Sequence, residues 1–239
     1  MPKVNLSVRF TLILSGVFLV GTLIGGSAYW RALQGKAQDE IATQGLMLIE
    51  TMNAVRGYTS NHVKPLLAEE LAASPEFISE TVPAFSARTV FENFRSQSDF
   101  ETFLYKEASD NPTNPLDRAD EYESRLLQSL ATGTEAEARG YRDYEGTRYY
   151  YIARPLRIGA DSCLECHSDP ESAPASLIAT YGDRGGFGWT LGQTVAAQII
   201  YVPAEEVFNV AWRTFSLVMS VFVAVFALII LLINFLLRR

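Results

Sequence analysis

The chain has 239 residues, 48% of them hydrophobic, and a formal net charge of −7 at pH 7. The two ends hold only four of the 20 basic residues, so residues 30–213 carry 16 basic groups against all 27 acidic groups, a charge of −11. Such an acidic middle lacks the cationic surface that displaces counterions from nucleic acid, which excludes a nucleic-acid partner. The apolar ends exclude a soluble cytosolic enzyme.

Two uncharged segments are long enough to cross a bilayer. Phe10–Trp30 has 21 residues and Thr214–Leu237 has 24, whereas a helix needs about 20 residues to span the hydrocarbon core. We predict a transmembrane helix in each segment. A cleaved signal peptide is the alternative for the first, although its apolar run is longer than the usual signal-peptide core and no A-x-A cleavage site follows it.

Basic residues flank the two predicted membrane helices on their terminal sides. Residues 1–9 include Lys3 and Arg9, and residues 238–239 are both arginine. The positive-inside rule therefore predicts that both termini are cytoplasmic. The domain at 31–213 is then predicted to lie outside the cytoplasm, in a periplasm or an equivalent lumen, with membrane lipid as a partner.

The first membrane helix is predicted to continue outward as a long stalk. Arg31–Leu67 has no strong helix breaker before Pro65, and its apolar and small residues recur at intervals of three and four, which is helical periodicity. Gly21 and Gly25 have the spacing that permits close approach of membrane helices. A homodimer through the transmembrane and stalk helices is compatible with this pattern.

Short helices separated by proline-containing breaks are predicted after the stalk. Leu66–Leu104 is predicted to form shorter helices interrupted by Pro75 and Pro83. Residues 110–115, with the sequence DNPTNP, indicate a loop, because a residue before proline avoids the helical region and Asn and Asp favour turns. Asp117–Leu130 is predicted to be a short amphipathic helix.

Two strands of one sheet are predicted near the end of the middle domain. Arg148–Ile158 and Gln193–Val202 are rich in aromatic and β-branched residues. The 34 residues of Gly159–Gly192 lie between them without a clear secondary-structure pattern. A connection of this length inside a compact domain is typically functional. The predicted fold class is α+β.

That connection contains the motif C-x-x-C-H, formed by Cys163, Cys166 and His167. The two cysteines are the only ones in the chain, and the histidine is one of two. This spacing is the attachment signature of c-type haem. The two thiols become thioethers on the porphyrin vinyl groups, and the adjacent imidazole binds the iron. The motif predicts one covalently attached haem c.

Three other interpretations of the motif are weaker. A structural disulfide would close a very short loop, gain little chain entropy and leave His167 unexplained. A closed zinc site needs four ligands, and the motif supplies three. A thioredoxin-type redox pair belongs at a helix start after a strand and needs no following histidine. The pattern favours covalent haem over these.

The sixth position of the iron has three candidate ligands in the stalk. Met52 lies on the apolar stripe of the helix, His62 lies to one side of that stripe, and Met47 points away. We prefer Met52, with His62 as the alternative and a five-coordinate or water-bound iron as a third arrangement. Methionine raises the reduction potential relative to histidine, whereas an open site permits gas binding.

Several segments within residues 46–205 join the motif in a resemblance to a known family. These segments are Met52–Thr59, Val63–Leu67, Tyr105–Ser109, Asn111–Pro115, Glu123, Tyr150–Pro155, Cys163–Pro170 and Gly185–Gly192. Together they resemble PAS-like domains with a single c-type haem. Such domains form the extracytoplasmic input module of bacterial membrane sensors and also occur as soluble haem proteins.

The resemblance implies a PAS-like antiparallel sheet with flanking helices, here placed between the two transmembrane helices. It implies that Cys163 and Cys166 carry the haem and that His167 is the proximal ligand. The resemblance implies that some soluble members use a cysteine as the distal iron ligand. This chain has no third cysteine and cannot do so. Sensors of this kind continue after the second membrane helix, so we expect a cytoplasmic output domain either in a longer form of the chain or on a partner.

The functional expectation is a membrane-anchored sensor or input domain that responds to redox state or to a small gas. The alternative is a membrane-tethered monohaem cytochrome that carries electrons to a redox partner, since an acidic surface suits docking on a basic one. A scaffold domain without haem is a third interpretation. The sequence shows neither a nucleophile–base pair nor a phosphate-binding loop, so we predict no enzymatic activity.

Overall fold

The structure is a computed structural model that describes residues 6–133 and 135–237. Lys3 and Arg238–Arg239, on which the predicted orientation partly rests, lie outside the described residues. The chain forms two compact units, one from Met1–Ile41 with Ala204–Arg239 and the other from Ala42–Pro203. We refer to the second as the sheet domain.

The helices are α1 (Leu6–Tyr58), α2 (Lys64–Leu66), α3 (Ala68–Ala73), α4 (Pro83–Arg95), α5 (Glu121–Ala131), α6 (Asp161–His167), α7 (Ala175–Tyr181) and α8 (Glu205–Leu237). The strands are β1 (Leu104–Ala108), β2 (Ala138–Tyr144), β3 (Thr147–Arg157) and β4 (Thr194–Pro203). A π-helical turn at Thr59–Val63 follows α1, and 3-10 turns lie at Ser79–Thr81 and Pro115–Asp117.

In the first unit, α1 and α8 are each long and apolar enough to cross a membrane. Their side chains pack against each other through aromatic contacts, with the Trp30 and Trp212 rings 5.4 Å apart edge to face and the Trp30 and Phe215 rings 5.2 Å apart. Thr11 Oγ1 donates a hydrogen bond to Asn234 Oδ1 at 3.3 Å. Two polar side chains of this apolar pair therefore satisfy each other.

The sheet domain is built on one antiparallel sheet with the strand order β1-β4-β3-β2. The two predicted strands are confirmed, and they pair with each other as the central strands, with Ile152 opposite Ile200. The α+β class and the antiparallel sheet with flanking helices are thereby confirmed.

Helices cover both faces of the sheet. On one face, Leu127 and Leu130 of α5 join a buried cluster with Ala153 and Ile199. On the other face, the part of α1 within the sheet domain lies so close that a Cβ on Gly45 would be 2.8 Å from Ile152 Cδ1. Glycine at this position permits the contact between helix and sheet.

Three details differ from the sequence-based expectations. The edge strands β1 and β2 were not predicted, because charged residues interrupt their apolar pattern. The Gly159–Gly192 connection has two short helices, α6 and α7, where no clear secondary structure was expected. The stalk is a continuous α-helix only to Tyr58, since the π-helical turn precedes the short helix that ends at Leu66.

Candidate functional site

The three motif residues lie on α6. Cys163 and Cys166 are three positions apart, which places them on one face of the helix. Both thiols are free and half-buried. His167 is the last residue of the helix. Burial raises the pKa of the Cys166 thiol above its ordinary value, while the nearby Lys64 charge opposes the shift.

The His167 imidazole is held in one orientation. Its Nδ1 atom lies 2.7 Å from the backbone oxygen of Gly186, so Nδ1–H donates to this carbonyl and Nε2 keeps its lone pair for a ligand. Trp189 stacks on the ring with 4.1 Å between centroids. Burial lowers the pKa of His167, partly offset by the bond to Gly186, which favours the neutral imidazole that a metal requires.

A glycine-rich loop, residues 185–189, supports the end of α6. Trp189 N–H donates to the His167 carbonyl at 3.1 Å, and Gly188 N–H donates to the Ser168 carbonyl at 2.6 Å. Gly186 and Gly188 have φ values of +82° and +76°, a region that disfavours side chains. The loop can adopt this path because glycine occupies the strained positions.

The predicted Asn-Pro loop lies against this glycine-rich loop. Asn111 Oδ1 accepts a hydrogen bond from Gly186 N–H at 3.1 Å, and Asn111 Nδ2 donates to the Phe187 carbonyl at 2.9 Å. A Cβ on Gly185 would lie 2.4 Å from the Pro112 oxygen. No local sequence pattern indicates a site role for Asn111, Gly186 or Trp189.

The segment that follows α1 lies next to α6 and α7. Lys64 Nζ is 3.1 Å from Glu165 Oε2 on α6, and the Phe77 ring meets Tyr181 of α7 edge to face at 5.6 Å. His62 belongs to the π-helical turn, is exposed, and stacks on Tyr58 at 5.3 Å. The structure therefore brings the neighbourhood of His62 to the motif.

Met52 has different surroundings. It is only 2% exposed and lies on the helical stripe of Gly45 and Arg56, which contacts the sheet. Met52 and Lys64 are twelve positions apart, which corresponds to a rise of about 18 Å along a helix. Met47 is 59% exposed and lies off this stripe, as predicted.

The arrangement bears on the alternatives for the motif. Within residues 6–133 and 135–237, no group of three or more His, Cys, Asp or Glu side chains is placed to hold a metal ion by itself. Two thiols on one helical face and an adjacent imidazole with a free Nε2 suit two thioether bonds and one axial ligand. The residues present therefore fit a covalently attached haem.

The fold and the site define an α+β domain that presents a C-x-x-C-H helix against a glycine-rich loop. The chain belongs to the Tll0287-like family, whose model matches residues 34–203. No curated protein matches it. The crystal structure of the cyanobacterial haem protein Tll0287 is similar at 15% identity, over 69% of this chain and 95% of that one, with a TM-score of 0.46.

Proposed function

We propose that the sheet domain binds one haem c through Cys163 and Cys166, with His167 as the proximal iron ligand. The observation that carries the proposal is the hydrogen bond from His167 Nδ1 to Gly186, which leaves Nε2 available to a metal. Family membership supports a haem cofactor, since Tll0287 is described as a haem protein. The bound haem would supply one-electron redox chemistry and a site for small gaseous ligands.

The chain's own groups account for covalent attachment. Each thiol would add across one vinyl double bond of the porphyrin, with the sulfur on one carbon and the thiol hydrogen on the other, so that no group leaves. Both cysteines are free for this addition. The addition itself is redox-neutral once both thiols are reduced, and covalent haem attachment takes place outside the cytoplasm, where we propose that the sheet domain lies.

We propose that the protein is a two-pass membrane protein with a periplasmic or lumenal sheet domain and cytoplasmic termini. Two observations support the anchoring: the length and apolar composition of α1 and α8, and the aromatic cluster of Trp30, Trp212 and Phe215. Tryptophan rings favour the membrane–water interface.

The role that we propose is that of a sensor or input module for redox state or a small gas. Its support is connectivity: α1 continues from the first unit into the sheet domain, and α8 begins at Glu205, directly after β4 ends at Pro203. A change at the haem could shift these helices only if its two states interact with them differently. The output would then belong to a cytoplasmic domain or partner.

A membrane-tethered electron carrier is the second candidate. The charge of −11 on residues 30–213 favours it, because an acidic surface steers association with a basic redox partner. Carbon monoxide and nitric oxide titrations of the reduced protein separate the two roles. Tight gas binding supports the sensor, whereas refusal of both gases with rapid electron exchange supports the carrier.

The full-length protein, purified from a host that matures c-type cytochromes, tests the haem proposal. We expect haem that remains with the polypeptide on a denaturing gel, because thioether bonds survive unfolding. Haem peroxidase staining and intact mass measure it. Complete loss of haem under denaturation, or its absence from the native protein, would refute covalent binding.

For the distal iron position we propose His62, with Met52 as the alternative. The contact of Lys64 with Glu165 brings the chain near His62 to the motif helix, whereas Met52 is buried on the stripe that faces the sheet. His62→Ala should change the Soret band and increase carbon monoxide binding, while Met52→Leu should leave both unchanged. The reverse result, with loss of a methionine-to-iron charge-transfer band in Met52→Leu, would assign Met52.

A further inference from the structure

We propose that Asn111 is a positioning residue for the proximal histidine and thereby sets the reduction potential of the haem. The inference rests on the proposed function, because it concerns how His167 is presented to iron. Asn111 does not contact the imidazole. Its amide holds the backbone segment whose carbonyl accepts the His167 Nδ1–H bond.

The side-chain amide of Asn111 bonds to the backbone on either side of the peptide group that joins Gly186 to Phe187. Its Oδ1 accepts from Gly186 N–H at 3.1 Å, and its Nδ2 donates to Phe187 O at 2.9 Å. The Gly186 carbonyl between these atoms lies 2.7 Å from His167 Nδ1. Although Asn111 is exposed, its two bonds determine where the acceptor for the imidazole proton lies.

Asn111 is itself tied to the sheet. Its N–H donates to Ser109 Oγ at 3.2 Å, and the buried Ser109 hydroxyl donates to the Val195 carbonyl of β4 at 2.7 Å. A continuous series of hydrogen bonds therefore connects β4 to His167 through Ser109, Asn111 and Gly186. The path crosses segments that are 75 to 86 residues apart in the chain.

Close packing fixes the Asn-Pro loop, residues 110–115, against the glycine-rich loop, residues 185–189. A Cβ on Gly186 would lie 1.8 Å from Thr113 Oγ1, and one on Gly185 would lie 2.4 Å from Pro112 O. Such distances exclude any side chain at the two glycines. The Asn-Pro loop is thus the surface against which the carbonyl of Gly186 is positioned.

The chemical consequence is a tuned axial ligand. A strong bond from Nδ1–H to a fixed acceptor makes the imidazole more electron-donating at Nε2, which stabilises the ferric state and lowers the potential. Without the Asn111 amide, the Gly186 carbonyl is free to move, the Nδ1–H bond weakens, and the potential rises. The ring can also rotate among more orientations.

The test compares Asn111→Ala with Asn114→Ala in the full-length haem protein. Asn114 is the same residue type in the same loop, but its Oδ1 caps a 3-10 turn by accepting from Leu116 N–H at 3.0 Å. We expect Asn111→Ala to shift the reduction equilibrium about tenfold toward the ferrous state, about 59 mV for one electron. Asn114→Ala should leave the potential unchanged. Spectroelectrochemical titration measures the potential, and ferric electron paramagnetic resonance reports ligand orientation.

Each outcome decides the proposal. A wild-type potential and spectrum in Asn111→Ala would overturn it, as would equal shifts in both variants, which would indicate general loosening of the loop. If Asn111→Ala retains no haem, Ser109→Ala provides the test, since it removes the hydroxyl that anchors Asn111 and keeps the Asn111 amide. A rise in the reduction potential that is smaller than about 59 mV supports positioning, and an unchanged potential refutes it. Failure of the wild type to bind haem would instead refute the proposed function.

Discussion

Replacement of both Cys163 and Cys166 by serine should abolish covalent haem attachment completely. A hydroxyl does not form the thioether, and the chain contains no third cysteine that could substitute. We expect the double variant to lose all haem staining on a denaturing gel and to have the mass of the unmodified polypeptide. Each single variant should retain one thioether and therefore part of the staining.

Ser162→Ala is the matched control for this experiment. Ser162 is exposed and adjoins Cys163 on α6, so its replacement changes the same helix without removing a thiol. It should leave attachment unchanged. Staining that persists in the double variant would place the covalent bond elsewhere in the chain, and equal loss in Ser162→Ala would implicate folding of α6 instead of thiol chemistry.

The central part of the fold could be predicted from the sequence, whereas its edges could not. The central strands β3 and β4 are buried and read as aromatic and β-branched runs. The edge strand β1 contains Lys106 and Glu107, whose charges contradict a strand pattern when partners are unknown. In the folded domain, Lys106 pairs with Glu123 at 2.6 Å and Glu107 pairs with Arg56. Both partners are distant in the sequence, so local periodicity does not reveal them.

The candidate site divides in the same way. Cys163, Cys166 and His167 lie close together in the sequence, so their spacing alone is enough to predict covalent haem attachment. The support for His167 is non-local: Gly186 is 19 residues away, and Asn111 is 75 residues from Gly186. Local sequence periodicity does not show that a loop rich in Asn and Pro contacts a loop rich in glycine.

Met52 lies on an apolar helical stripe, a pattern that is compatible both with an iron ligand and with packing in a core. The helical stripe that made it a ligand candidate is also the stripe that packs on a core, and the structure places the side chain there, 2% exposed. His62 lies beyond the last regular turn, in the π-helical segment. Insertions of this kind occur frequently at functional sites, and the sequence gives no indication of where the turn widens.

Glu107→Ala should lower the free energy of unfolding by about 3 kcal/mol, because it leaves a largely buried guanidinium without its counterion. Glu107 and Arg56 form an ion pair with side chains 8% and 20% exposed. Tyr105 O–H donates to the same carboxylate at 2.5 Å, and Gln198 donates to the tyrosine oxygen at 3.1 Å. Burial by itself lowers the pKa of Arg56, but Glu107 and Tyr105 together outweigh burial and raise it.

Urea denaturation in detergent, followed by far-ultraviolet circular dichroism, measures the change. Glu50→Ala is the control: Glu50 pairs with Arg154 at 2.5 Å, but its side chain is 61% exposed. In Glu50→Ala, Arg154 still forms its ion pair with Glu137 at 2.7 Å. We therefore expect the free energy of unfolding to fall by less than about 1 kcal/mol.

The double variant Arg56→Leu with Glu107→Leu tests why Glu107→Ala destabilises the protein. The cause is either the lost attraction between Arg56 and Glu107 or the unpaired charge that remains on Arg56. The double variant should recover most of the stability lost in Glu107→Ala, since two apolar side chains remove the unpaired cation. Arg56 lies on α1 and Glu107 on β1, so the pair joins the outer end of the stalk to the sheet just before the π-helical turn. If Glu107→Ala destabilises no more than Glu50→Ala, this ion pair does not hold the stalk on the sheet, and the other contacts of α1 with the sheet domain, such as the packing of Gly45 on Ile152, would have to do so.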